Sequence, residues 1–137
     1  MSNSSPGAGL TVLLVDDFDD ARQMYGHYLR HFGFEPIEAA TGEEALTLAF
    51  ARLPSIILMD LQLPGIDGWE ITRRLKNDER TRDIPIIALT AHALEQERER
   101  TRQAGCDGFL AKPCPPDQLL TTIGKLLGTR SAAAAKP

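Results

Sequence analysis

Five residues combine groups able to do ionic chemistry with a shared position, each closing a short apolar run. Asp16 and Asp17 close Leu10 to Val15, Asp60 follows Ile56 to Met59, Thr90 follows Ile84 to Leu89, and Lys112 follows Gly108 to Ala111. Taken one at a time they are ordinary, since aspartate favours loops, threonine caps helices and a lone lysine is usually a solvated charge. Gathered in one place, three carboxylates repel one another and raise each other's pKa unless a cation sits among them. An all-oxygen donor set suits a hard ion, and magnesium typically takes one or two carboxylates, several waters and a phosphate oxygen.

What brings the five together is the order of elements. The run Leu10 to Val15 is almost unbroken in its apolarity, as a strand buried on both faces requires. From Ala21 the residues Met24, Tyr25, Tyr28, Leu29 and Phe32 recur at helical spacing, and Gly33 stands at the C-terminal cap. Pro36 to Ala40 forms a second strand. Thr41-Gly-Glu-Glu44 then has the form in which a hydroxyl and a carboxylate satisfy free amides at a helix start, with Ala45, Leu46, Leu48 and Ala49 continuing that helix.

Ser55 to Met59 makes the third strand, and Leu61 to Gly68, with Pro64-Gly65 inside it, a loop. A helix over Trp69 to Leu75, a strand over Ile84 to Leu89 and a charged helix over Leu94 to Ala104 follow. The last of these has so little apolar surface that it is expected to be the least anchored. Gly108 to Ala111 is the fifth strand, and Pro116-Asp117 opens a final helix with Leu119, Leu120, Ile123, Leu126 and Leu127 inward. Alternating strands and helices predict a doubly wound α/β fold, a parallel sheet covered on both faces, with its ligand crevice at the carboxyl ends of the strands.

The chain has 137 residues and room for one domain, read as residues 10–128 between disordered tails at 1–9 and 129–137. Its net charge of −4 argues against whole-surface attraction to nucleic acid or anionic lipid. No apolar run approaches the ~20 residues that span a bilayer. Met1 to Gly9 lacks the charged start and apolar block of a secretory signal, so a cytoplasmic location is expected. Cys106 and Cys114 lack zinc-site spacing and read as small core-type side chains.

Four stretches, Val-Asp-Asp at 15–17, Leu-Met-Asp-Leu-Gln-Leu-Pro-Gly-Ile-Asp-Gly at 58–68, Ala-Leu-Thr-Ala at 88–91 and Ala-Lys-Pro at 111–113, together resemble the receiver domain of two-component response regulators. The resemblance covers about residues 10–128. It implies a flavodoxin-like, five-stranded parallel sheet in the order 2-1-3-4-5, flanked by five helices. It further implies Asp60 as phosphoacceptor, Mg2+ held by Asp16, Asp17, Asp60 and the backbone carbonyl of Gln62, and catalytic support from Lys112 and Thr90. Thr90 and Phe109 become the switch pair, with Phe109 where many members carry tyrosine. Lys112-Pro113 is expected in the cis form, and Gln62 and His92 fall where the family tunes acyl-phosphate lifetime.

The implied partners are a histidine kinase or histidine phosphotransfer protein and a downstream protein target, met by the fourth helix, fifth strand and fifth helix of a monomer or weak dimer. Self-phosphorylation and autodephosphorylation are the only activities expected, with no nucleic-acid binding or membrane insertion. Leu89 to Ala93 resembles short regulators of cell-cycle and polarity phosphorelays. Two alternatives keep the fold and change the context: a receiver fragment of a hybrid histidine kinase or larger regulator, and a docking module independent of phosphorylation. A phosphatase of the haloacid dehalogenase type would want Asp-x-Asp at the first strand end, where this chain reads Asp16-Asp17-Phe18.

Overall fold

The computed structural model describes residues 9–91 and 94–135, with side chains through 128. Ten elements alternate: β1 (Thr11–Val15), α1 (Asp19–His31), β2 (Glu35–Ala39), α2 (Gly42–Arg52), β3 (Ile56–Asp60), α3 (Gly68–Lys76), β4 (Ile86–Thr90), α4 (Glu95–Ala104), β5 (Gly108–Ala111) and α5 (Pro116–Ala135). All strand pairs are parallel and the order is β2-β1-β3-β4-β5, the flavodoxin-like arrangement.

The unbroken apolar runs follow from burial on two sides. Val12, Leu14, Ile56, Leu58, Ile87 and Leu89 pack with Tyr25 and Leu29 of α1 and Leu119 and Ile123 of α5. Their neighbours Leu13, Val15, Ile57, Met59 and Ile86 pack with Ala45 and Ala49 of α2 and Ile71 and Leu75 of α3 on the opposite face. Since strand side chains alternate with period two, every second residue serves one helical layer, and a polar residue in either set would lack a partner.

Element ends follow local chemistry. Thr41 Oγ1 accepts from the Glu44 amide at 3.1 Å, while the Glu44 carboxylate accepts from the amide of Ala40 at 2.8 Å, one residue earlier than the usual reciprocal cap. Asp67, not singled out in the sequence, caps α3 by accepting from the Glu70 amide at 2.9 Å. α1 begins two residues before Ala21, because Asp19 and Asp20 favour the positive end of a helix. Gly33 adopts φ 91°, the left-handed form that ends α1 without a Cβ clash. β4 starts at Ile86 rather than Ile84, whose amide is taken by Thr81 O in a turn ahead of Pro85.

The C-terminal end differs from expectation as well. The tail expected from residue 129 is instead part of α5, which runs to Ala135. Alanine has the highest helix propensity, and Ser131 to Ala135 contains no breaker. Residues 1–8 of the expected N-terminal tail lie outside the described residues.

Candidate phosphoacceptor site

Strand pairing builds the site. Val15 pairs with Met59, so Asp16 and Asp60 stand side by side one step beyond the last pair, at the carboxyl edge of the central strands. Both continue the alternation that faces α1 and α5. Lys112, two residues past Leu110, shares that side, and its Nζ lies 2.8 Å from Asp16 Oδ2 and 3.4 Å from Asp60 Oδ2. Carboxylate oxygens of Asp16, Asp17 and Asp60 all lie within 4.8 Å of one another.

Their environments differ. Asp16 is 1% exposed and Asp60 6%, whereas Asp17 is open to solvent. Asp16 Oδ1 accepts from the Phe18 amide at 2.9 Å and Asp60 Oδ1 from the Gln62 amide at 2.9 Å. Burial pushes the Asp60 carboxyl above the ordinary aspartate range; the Gln62 amide and Lys112 pull it back, and the charge of Asp16 adds to the rise. Burial works against the Lys112 ammonium, but the hydrogen bond to Asp16 and the charges of Asp60 and Asp16 outweigh it and raise its pKa.

The donor set fits a hard divalent cation. All three groups of the cluster are carboxylates, none is soft, and the exposed Asp17 leaves one side open to solvent. The Gln62 amide is committed to Asp60, which sets the peptide whose next carbonyl belongs to Gln62.

The remaining residues named from the sequence fall around this edge. Thr90 ends β4, is fully buried, and accepts the Lys112 amide on its carbonyl at 2.8 Å. Phe109 is half-buried against Leu61, Trp69, Ala88 and Ala104, with the Arg98 guanidinium 4.7 Å above its ring. Lys112-Pro113 is cis. His92 lies outside the described residues.

Three contacts were missed. A Cβ on Gly68 would come within 2.7 Å of Asp60 O and 2.8 Å of Leu61 Cα, so the start of α3 rests directly on the Asp60–Leu61 backbone. Trp69 Nε1 donates to the buried Thr101 Oγ1 of α4 at 3.0 Å, under the Arg100 guanidinium at 3.8 Å. Arg22 Nη1 donates to the carbonyl of Asp16 at 2.8 Å. A glycine at the start of α3 was the only signal available for any of them; the other two depend on how side chains dock across elements.

The strand order β2-β1-β3-β4-β5, with three carboxylates and a lysine at the carboxyl edge, makes this a flavodoxin-like α/β domain with a polar site at its sheet edge. The chain belongs to the response regulator receiver domain family, whose model matches residues 12–124. It is 40% identical over 118 residues to the polar-differentiation response regulator DivK of Brucella ovis, a span that covers 86% of this chain and 96% of that protein. The receiver domain of the sensor histidine kinase PA1611 from Pseudomonas aeruginosa, solved with a magnesium ion coordinated in its active-site cleft, superposes with a TM-score of 0.83 at 37% identity, covering 88% of this chain and 99% of that one. The chemotaxis protein CheY4 of Vibrio cholerae gives 0.83 at 32% identity, covering 87% and 99%. The chain is thus a receiver of two-component signalling, a pathway class in which a histidine kinase acts upstream and protein targets downstream. No helix among the described residues is long and apolar enough to cross a membrane.

Proposed function

We propose that Asp60 accepts a phosphoryl group from a histidine kinase or histidine phosphotransfer protein, with Mg2+ held by Asp16, Asp17, Asp60 and the Gln62 carbonyl. The observation that carries this is the cluster itself: three carboxylates within 4.8 Å of one another and a lysine 2.8 and 3.4 Å from two of them. A carboxylate oxygen of Asp60 attacks phosphorus, the bond from phosphorus to the donor nitrogen or oxygen breaks, and the donor leaves with the electron pair. Bound Mg2+ supplies charge neutralisation at the transferring oxygens. The Gln62 amide orients the acceptor, and Lys112 is close enough to meet phosphoryl oxygens beside Asp60. Water attack on the acyl phosphate resets the site, so autodephosphorylation and self-phosphorylation are its only reactions.

The switch uses Thr90, whose hydroxyl bonds a phosphoryl oxygen, and Phe109, which moves with it. Its output face is α4, β5 and α5 of a monomer or weak dimer in the cytoplasm, engaging protein rather than nucleic acid. A groove of about 370 Å³ beside α4 and β5, where Glu95, Glu99 and Asp107 sit among Arg98, Arg102 and Phe109, supports protein contact at that part of the face. The experiment is intact-mass analysis after incubation with Mg2+ and a small acyl-phosphate donor: one added phosphoryl group is expected for the wild type and none for Asp60→Asn. Equal labelling of the two overturns the assignment.

A further inference from the structure

Arg22, on the first turn of α1, touches the site without belonging to its chemistry. Its guanidinium donates in three directions: Nη1 to Asp16 O at 2.8 Å, Nε to Glu38 Oε1 on β2 at 3.1 Å, and Nη2 to Asp19 Oδ1 at 2.6 Å. The side chain is only 15% exposed, and Glu38 is further held by Arg30 at 3.3 Å. Asp16 is consequently fixed on both sides, its N–H by Ala39 O at 3.1 Å and its carbonyl by Arg22 at 2.8 Å.

The carbonyl side is the one that matters for Asp17. That carbonyl lies in the rigid peptide plane joining Asp16 to Asp17, so holding the oxygen sets the direction in which the Asp17 Cα leaves Asp16. Among the described residues the Asp17 carboxylate has no hydrogen-bond or ion-pair partner of its own, yet it lies within 4.8 Å of the oxygens of Asp16 and Asp60. Its aim is inherited from the backbone. The charge of Arg22 is already matched by Asp19 and Glu38, which leaves direction, not attraction, as its contribution.

We infer that Arg22 is a positioning residue for the divalent-cation site, holding the Asp16 carbonyl so that Asp17 points at the position shared with Asp16 and Asp60. The inference rests on the reading of that cluster as a Mg2+ site. Groups that orient metal ligands typically change affinity 10- to 100-fold when removed. A lysine at this position keeps the charge but lacks the planar fork needed to reach three acceptors at once.

The test is calorimetric titration of Mg2+ into the full-length unphosphorylated wild type, Arg22→Gln and Arg22→Lys, with thermal midpoints recorded without Mg2+. Labelling rates with a small acyl phosphate are then measured as a function of Mg2+. Both variants are expected to bind Mg2+ about 10- to 100-fold more weakly, with the half-saturating Mg2+ raised and the rate at saturating Mg2+ close to wild type. A merely structural role would lower the midpoint without that split. Wild-type affinity in Arg22→Lys, the variant better suited to retain the fold, overturns the inference, as does wild-type affinity in a folded Arg22→Gln. Wild-type protein that takes up no Mg2+ sinks the site reading itself, whereas tight wild-type binding matched by Arg22→Lys sinks the role of Arg22 alone.

Discussion

Lys112 Nζ sits 0.6 Å closer to Asp16 than to Asp60, at 2.8 against 3.4 Å, so the ammonium is shared unequally between the two carboxylates proposed as metal ligand and acceptor. On the proposed assignment a divalent cation and Lys112 compete for the same oxygens before transfer, whereas both favour the phosphorylated state. Lys112→Met is expected to bind Mg2+ at least as tightly as wild type while being phosphorylated about 100- to 1000-fold more slowly, the scale of losing one preorganised donor at a transition state. Calorimetry and labelling kinetics on the same preparation separate the two effects; a large loss of Mg2+ affinity would contradict the competition.

Gly68 packs directly on the backbone that carries Asp60. Gly68→Ala places a methyl group within 2.7 Å of Asp60 O and 2.8 Å of Leu61 Cα, both backbone atoms that cannot swing aside. The expected cost is about 1–3 kcal/mol, with a slower labelling rate in the fraction that stays folded. Urea unfolding followed by labelling of the folded variant checks both.

Trp69 and Thr101 tie α3 to α4 through a hydrogen bond of 3.0 Å. Apart from Thr101 and Ala104, the residues of α4 are exposed or half-buried, so this bond carries an unusual share of the helix's attachment. Trp69→Phe and Thr101→Val are each expected to destabilise by about 1–2 kcal/mol, and the double variant by about 1 kcal/mol less than their sum. Additive losses in a double-mutant cycle followed by circular dichroism would show that the bond contributes nothing.

Cys106 gives a pH signature. Burial pushes its thiol from 9.0 up to about 11, with the Thr72 hydroxyl pulling the other way. A raised folded-state pKa means the folded protein holds the proton longer than the unfolded chain, so the associated stability is complete below about pH 9 and is lost as pH rises toward about 11. Thermal midpoints of wild type should therefore fall more steeply than those of Cys106→Ala across that window. Cys114 and Tyr25 titrate in both proteins and cancel in the difference. Parallel curves would exclude the effect.

The strand ends were legible because burial on both faces demands continuous apolar runs, and a run must stop where a charge reaches the sheet edge. That rule places Asp16, Asp60, Thr90 and Lys112 at one sheet edge, where the structure has them, and spacing marks the Thr41-Glu44 cap. The unequal sharing of Lys112, the grip of Arg22 on Asp16 O and the Trp69–Thr101 bond were not legible. Each depends on side chains that meet only after the sheet twists and the helices dock, and an arginine or tryptophan in a helix carries no mark of the contact it will make. The length of α5 was misjudged for a different reason: a run of alanines reads as tail by composition but as helix by propensity.

The central claim is that Asp60 is the residue phosphorylated. Borohydride reduction of the labelled protein converts an aspartyl phosphate to homoserine, and peptide mass mapping then locates it. The account predicts homoserine at position 60 and unmodified aspartate at 16 and 17; reduction at either of those, or at a site away from this sheet edge, would contradict it.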